Sequence, residues 1–391
     1  MVGIGAEGWD GLTPRLRGLV LDASVLLGGS RHLALVPAAE GQVRRSWPSP
    51  LRAGLPALLE EYAGHEVVAL ASGDPLVSGI GSTLVDLLGA DRVLIEPALS
   101  SVSLARARMG WSAESTAVVS VVGREPHLVL RELAPGRRIL VLSSGAETPA
   151  EVAQLLTDHG AGASRLTVLG DLGSDQESRV DAVAAGWAAS SPALNVVAVE
   201  VDGAGHGWAA GLPDAAYEHD GQLSKRDVRA SALARLAPRP SELLWDVGAG
   251  AGSVGIEWMR AHPTCRAVAV ERDDARADRI ARNAANLGVP TLEVVRGAAP
   301  AVLAGLPQPD AVFVGGGATV DGVLDTCLAA LVPGGRLVVH GVTLETEAEL
   351  VSWTKQHGGE LVRISVERAE PLGTLTGWTP ARAVTQWSLE R

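Results

Sequence analysis

A chain of 391 residues, 47% hydrophobic, is long enough for two or three domains that each bury a core. Its formal charge of −12 excludes a surface built to track duplex nucleic acid, though not a local basic pocket for an acidic small molecule. Two cysteines, Cys265 and Cys327, are too few for a disulfide framework or a four-cysteine zinc site, and no metal is expected.

The N-terminus, Met1-Val2-Gly3-Ile4-Gly5, has no basic leader before a long apolar core, and no apolar run approaches the roughly 20 residues that span a bilayer. The expectation is a cytoplasmic α/β protein without a membrane partner. The first half alternates short apolar runs with helical stretches. Val67–Leu70, Arg92–Ile95, Ala117–Val121, Arg138–Leu142 and Asn195–Val199 are β-branched-rich and bounded by turn formers, which predicts buried strands. Thr148–Asp158 is predicted as a helix between two of them. Such alternation favours crossover units and a largely parallel sheet, with a break near residue 115 separating two lobes. Asp202–Pro213 carries four glycines and a proline, so a linker is placed there, giving domains 1–212 and 213–391.

The second half has the same rhythm with cleaner punctuation. A helix is predicted over Lys225–Leu236, with Ser224 as its cap. Strand Glu242–Val247, a glycine turn and helix Ser253–Ala261 come next. Strand Arg266–Val270, helix Asp274–Leu287 and strands Thr291–Val295, Ala311–Val314 and Arg336–Val339 follow. Leu361–Glu367 and Ala383–Leu389 form a predicted terminal pair. This is the order of a doubly wound, Rossmann-like sheet. Residues 1–218 hold 15 arginines against 25 acids, whereas the rest of the chain is close to balanced. Only Lys225 and Lys355 are lysines.

Asp246-Val247-Gly248-Ala249-Gly250-Ala251-Gly252-Ser253 stands where a strand hands over to a helix. Glycines let the backbone turn sharply and approach a ligand, and the helix start presents free N–H groups. Glu271 ends the next strand, where a carboxylate can bridge two ribose hydroxyls. The arrangement suits an adenosine-containing cofactor. Gly250-Ala251-Gly252-Ser253-Val254-Gly255 also matches the dinucleotide pattern literally, which keeps an NAD-dependent oxidoreductase open. Asp246, heading the loop, favours S-adenosylmethionine, as do Asp310–Gly317 leading out of one strand and Leu331–Leu337 leading into another.

With these segments, Asp220-Gly221-Gln222-Leu223-Ser224-Lys225-Arg226, Leu244–Gly248, Ser253–Trp258 and Gly297-Ala298-Ala299-Pro300 resemble a class I methyltransferase domain. The likeness is to the one that methylates C15 and decarboxylates the C12 acetate in cobalamin biosynthesis. The resemblance implies cofactor contacts at Ser224, Asp246, Gly248, Ala249, Gly250, Ala251, Gly252, Glu271, Gly297, Ala298 and Ala299. Ser224 stands where that family carries threonine, and it keeps the hydroxyl. In the first half, Gly3–Gly8, Ala71–Gly81 and Pro97–Ser103 resemble the tetrapyrrole methylase family, whose fold has two α/β lobes. That implies cofactor contacts at Gly5, Gly73, Asp74, Ser100 and Ser101, with Leu142-Ser143-Ser144 adding to them. Only Met1 and Val2 precede Gly3, so the first strand usual in that family is expected to be nearly absent.

The order of the two domains resembles the fused, decarboxylating C5,15-methyltransferases of cobalamin biosynthesis. That implies methylation of a precorrin-6Y ring at C5 by the first domain. The second would methylate C15 and remove the C12 acetate carboxyl, giving precorrin-8, with one S-adenosylmethionine per domain. The partner implied is a tetrapyrrole and not a nucleic acid; a homo-oligomer is left open. Proton transfer falls to Glu345, preferred over His340, beyond the fifth strand. Gly123-Arg124, Arg31, Arg44, Arg45, Arg106 and Arg108 are candidates for substrate carboxylates. A non-catalytic corrinoid-binding protein is the reading outside enzymology.

Overall fold

In the computed structural model, which describes residues 1–391, the β-branched runs of the first half become two sheets. The first holds β1 (Val2–Ile4), β2 (Val25–Gly28), β3 (Val43–Ser46) and β4 (Val67–Ser72), parallel throughout in the order β1-β4-β2-β3. Side chains alternate across this sheet. Val25 and Leu27 pack with Leu55, Leu58 and Leu84 on one face, and Leu26 with Val20, Val68 and Leu70 on the other. The second sheet holds β5 (Thr116–Ser120), β6 (Arg138–Leu142), β7 (Arg165–Gly170), β8 (Ser178–Val183) and β9 (Asn195–Glu200). Its order is β5-β6-β9-β7-β8, parallel only between β5 and β6. The chain leaves one sheet for the other at the break foreseen near residue 115.

Three expectations change here. The second sheet is antiparallel in three of its four pairings, where the alternation favours a largely parallel sheet, because β7 to β9 follow one another as neighbouring strands without α-helical crossovers. The first strand is present: Val2 and Ile4 are buried and pair with Leu70 and Ser72 of β4. Arg92–Ile95 is not a strand. Ala90–Arg92 is a short 3-10 turn, Leu94 is 71% exposed, and the only pairing is a single bridge from Glu96 to Val2. With Leu94 in solvent, that run has no buried face to hold it in a sheet.

The remaining strands are β10 (Leu243–Val247), β11 (Arg266–Glu271), β12 (Glu293–Arg296), β13 (Ala311–Val314), β14 (Arg336–Gly341), β15 (Glu360–Ile364), β16 (Glu367–Leu372), β17 (Leu375–Pro380) and β18 (Val384–Glu390). Seven form one sheet, β12-β11-β10-β13-β14-β18-β15, parallel from β12 to β14, with β18 antiparallel between β14 and β15. The pair β16-β17 is a separate hairpin that the hydrophobic pattern did not announce. Leu372, Leu375 and Trp378 on it are exposed, so burial supplies no periodicity to read. Helix Arg226–Leu236 is capped by Lys225 without a side-chain hydrogen bond, and Ser224 instead gives its carbonyl to Arg229.

The chain divides into two units, Met1–Pro126 with Ala134–Gly205, and His127–Leu133 with His206–Arg391. The division falls before Leu212 because the end of the glycine-rich segment is anchored in the second unit. Glu257 accepts the N–H groups of Gly211 (2.6 Å) and Leu212 (3.0 Å), the Tyr217 hydroxyl (2.9 Å) and Arg229 Nε (2.5 Å). Segment His127–Leu133 belongs with that unit: Leu133 accepts the His206 N–H, and Arg131 donates to the Arg260 carbonyl. No helix is long and apolar enough to cross a membrane.

Candidate functional site

Parallel strands deliver their following loops to one edge of a sheet, and in the second unit that edge is open. The loop after β10 turns through Gly248 (φ +68°), Gly250 (φ +60°) and Gly252 (φ +75°), a region that costs other residues strain. A methyl group on Gly250 would also meet the Gln222 carbonyl oxygen at 2.8 Å. Helix Ser253–Ala261 starts directly after the turn. Glu271, the last residue of β11, reaches back under it: Oε2 accepts the Gly250 N–H (2.9 Å) and Oε1 the Asp273 N–H (3.0 Å). Asp246 lies beneath the loop. Its Oδ2 accepts the Gly255 N–H at 2.9 Å, while Oδ1 is buried without a partner. Burial pushes this carboxyl up to about 7, and the nearby Glu271 charge adds to the rise.

Above this edge is a cavity of about 740 Å³. Ser224, Gly248, Ala249, Gly250, Glu271, Gly297, Ala298 and Ala299 all line it, so most residues singled out in this half of the sequence come together. Three do not reach it. Asp246 orders the loop from below, Ala251 is buried with its carbonyl on Asn283, and Gly252 is pressed against Ile280. The glycine loop and Glu271 fit a cofactor carrying an adenosine. A carboxylate has about four lone-pair sites, and Glu271 uses one per oxygen on the backbone, leaving acceptors for paired hydroxyls.

Glu345 is elsewhere. It sits exposed in the first turn of helix Leu344–His357, where its own backbone N–H and the Thr343 hydroxyl hold its carboxyl below the ordinary value. His340 lines the cavity instead, from the end of β14. It meets the Phe313 ring edge-on at 4.9 Å, and its Nε2 lies 2.9 Å from the Gln386 amide. Turning that amide so that its N–H faces His340 brings its oxygen to Arg235 at 2.9 and 3.2 Å, which satisfies every group. Burial lowers the imidazole to about 4, so it is neutral near pH 7. Arg368 and Arg382, around the hairpin, also line the cavity, and neither was singled out in the sequence.

In the first unit, the loops after β1 and β4 meet the segment before helix Ser101–Met109. The Gly73 N–H donates to Ile4 (2.9 Å), and its carbonyl accepts the Ala98 N–H (3.1 Å). At φ +51°, a methyl group on Gly73 would lie 2.9 Å from the Leu99 oxygen. Ser100 is buried and caps the helix through the Ser103 N–H, whereas Ser101, the first helical residue, is exposed. Asp74 accepts the Leu76 N–H, and Gly5 follows the end of β1. Several arginine candidates have other partners. Arg44 donates to the Leu33, Val36 and Pro37 carbonyls, Arg45 pairs with Glu61, and Arg108 pairs with Glu177. Arg31 donates to Ser72.

Residues 1–185 match the tetrapyrrole (corrin/porphyrin) methylases, and residues 215–391 match the precorrin methyltransferase domain. A precorrin-6Y C(5,15)-methyltransferase [decarboxylating] from Sinorhizobium sp is 47% identical over 99% of this chain and 95% of its own. Two shorter relatives from Salmonella typhimurium each cover under half of the chain. A cobalt-precorrin-7 C(5)-methyltransferase is 34% identical over 44% of this chain and 83% of its own. A cobalt-precorrin-6B C(15)-methyltransferase (decarboxylating) is 32% identical over 39% and 80%.

Proposed function

The chain belongs to the family of decarboxylating precorrin-6Y C(5,15)-methyltransferases, and we propose that its two units divide the chemistry, C5 to the first and C15 with loss of the C12 acetate carboxyl to the second. It is an S-adenosylmethionine-dependent C-methyltransferase of cobalamin biosynthesis, acting in the cytoplasm, with one cofactor site in each unit. That separate relatives carry the C(5) and the C(15) activities supports the division.

S-Adenosylmethionine, when bound, supplies a methyl group made electrophilic by its sulfonium, which an electron-rich ring carbon can take directly. The protein is left with positioning and the exclusion of water. In the second unit, Glu271 and the Gly248–Gly250 backbone hold the adenosine end, with Ser224 and Gly297–Ala299 closing around it. Ile364, Val366 and Val384 give the other end an apolar lining suited to a flat macrocycle. In the first unit, Gly5, Gly73, Asp74, Ser100 and Ser101 serve the cofactor. For the decarboxylation, the conjugated ring takes up the electron pair and the carbon left behind needs a proton. His340 lines the cavity and Glu345 does not; being neutral, it orients the water that delivers this proton and is not itself the acid. The observation that carries the reading is the second unit's cavity, which joins a glycine-loop cofactor end to an apolar end on one sheet edge.

The test is incubation of the full chain with precorrin-6Y and methyl-labelled S-adenosylmethionine. Two labelled methyls on the ring and one released CO2 are expected. A ring that gains no label and loses no CO2 rejects the function. Two labels without CO2 reject the assignment of decarboxylation.

A further inference from the structure

A protein of charge −12 repels a polycarboxylate at long range, so cationic groups must be gathered where such a ligand docks. The second unit's cavity does this. Lys225, Arg272, Arg276, Arg368 and Arg382 line it against two acids, Asp227 and Glu271. Three of the five cations are already matched. Lys225 faces Asp214 (3.8 Å), Arg276 faces Asp220 (2.9 Å) and Arg368 faces Asp227 (3.0 Å). Arg272 and Arg382 have no ion pair.

Strand order separates these two. Arg272 follows β11, directly after Glu271, at the end where the glycine loop lies. Arg382 sits in the short connection from β17 to β18, and β18 lies on the far side of β14 from the glycine loop. Val384, at the start of β18, pairs with Ile364 at the end of β15, so this connection belongs to the sheet edge that carries the cavity. Around it the lining is apolar, with Val366, Ala381 and Val384, and Arg368 projects from the neighbouring hairpin strand. An apolar lining with a guanidinium at its margin complements a flat ring that carries carboxylates on its rim. A guanidinium offers a planar fork that a carboxylate meets with two hydrogen bonds.

We propose that Arg382 receives a peripheral carboxylate of the tetrapyrrole, with Arg368 beside it, and so anchors the ring in the second unit's cavity. The assignment rests on the functional reading above. Arg368 is the lesser contributor, because Asp227 competes with the substrate for it.

The experiment is steady-state kinetics of CO2 release by the full chain, with saturating S-adenosylmethionine and varied tetrapyrrole. It is run for the parent, Arg382→Ala and Arg382→Lys, with S-adenosylhomocysteine affinity measured by calorimetry on each. Arg382→Ala is expected to raise the tetrapyrrole KM about tenfold, the loss of one charged hydrogen-bonded contact. kcat and S-adenosylhomocysteine affinity should stay near the parent's, and the lysine variant should recover part of the loss. The parent KM should also rise with salt more steeply than that of Arg382→Ala. An unchanged KM would overturn the proposal, and so would a parallel loss of S-adenosylhomocysteine affinity, which would put Arg382 at the cofactor end. A parent chain that releases no CO2 would instead remove the functional reading, and this assignment with it.

Discussion

The first unit buries only neutral polar side chains, Ser100, Ser120, Thr148, Ser164, Thr167 and Asn195. The second buries Arg229, Asp246, Glu257, Arg260, Glu271, Arg336 and His340. The arginines there are scaffold. Arg336 holds the Leu236 and Ala237 carbonyls together with Glu242, and Arg260 holds those of Leu287, His206 and Gly207. The two acids nearest the glycine loop serve the site, by ordering its backbone. The glycines share one use and differ in another. In the first unit they let loops pack backbone to backbone, since a methyl on Gly3 would lie 1.9 Å from the Gly73 oxygen. In the second, Gly248 and Gly250 also pack closely, against the Gly316 and Gln222 carbonyl oxygens, and border the cavity as well. Small-residue punctuation therefore serves close packing in both units, and in the second the packed loop also lines a ligand-sized cavity.

Removing one charge of the Arg229–Glu257 pair should break the comparison most sharply. Arg229→Met leaves a carboxylate buried among groups arranged for a cation, and the second unit should lose about 3–5 kcal/mol. Hydrogen exchange, followed peptide by peptide, should show lost protection across 206–391 and little change across 134–205. Equal loss in both would mean that the units unfold as one block. Next in size is Glu271→Ala. It removes two backbone acceptors and the proposed hydroxyl contacts, so cofactor affinity in the second unit should fall about 10- to 100-fold. Product analysis should then show a ring methylated at C5 but not C15. Loss of both methyls would defeat the idea of independent sites.

How much was legible follows from the same contrast. Arg138–Leu142, Thr148–Asp158, Ser253–Ala261 and Ala311–Val314 form the elements read from their pattern, because each buries a face along its whole length. The edge strands β3 and β8 escaped notice, since Val43-Arg44-Arg45-Ser46 and Ser178–Val183 are mostly exposed and carry little apolar pattern. The glycine loop and Glu271 were readable because the chemistry sits in consecutive residues at strand ends. Arg368 and Arg382 were not. They reach the site only because the chain forms an unannounced hairpin and then inserts β18 antiparallel beside β14, which no local pattern records. Glu345 shows the reverse error. Proximity in sequence to the ligand end of β14 put it near the site, but the helix start turns it to solvent.

The finest test concerns Asp246, whose equivalent burden the first unit lacks. An aspartate in an unfolded chain titrates near 3.9, and burial beside Glu271 lifts Asp246 to about 7. The folded second unit thus holds a proton that the unfolded chain releases between these values. A carboxyl raised on folding contributes stability that is fully present below about pH 4 and is lost as pH climbs toward 7. The slope from this group alone approaches about 1.4 kcal/mol per pH unit at its steepest. Asp246→Asn can keep an oxygen acceptor for the Gly255 N–H and removes the titration. Urea unfolding of the second unit, measured without cofactor, should give a parent that weakens from pH 4 to 7 relative to the variant, with the gap constant above pH 8. Parallel curves for the two proteins would mean that Asp246 is already ionised in the folded state at low pH. Its partnerless Oδ1 would then need a cation or water that compensates the charge.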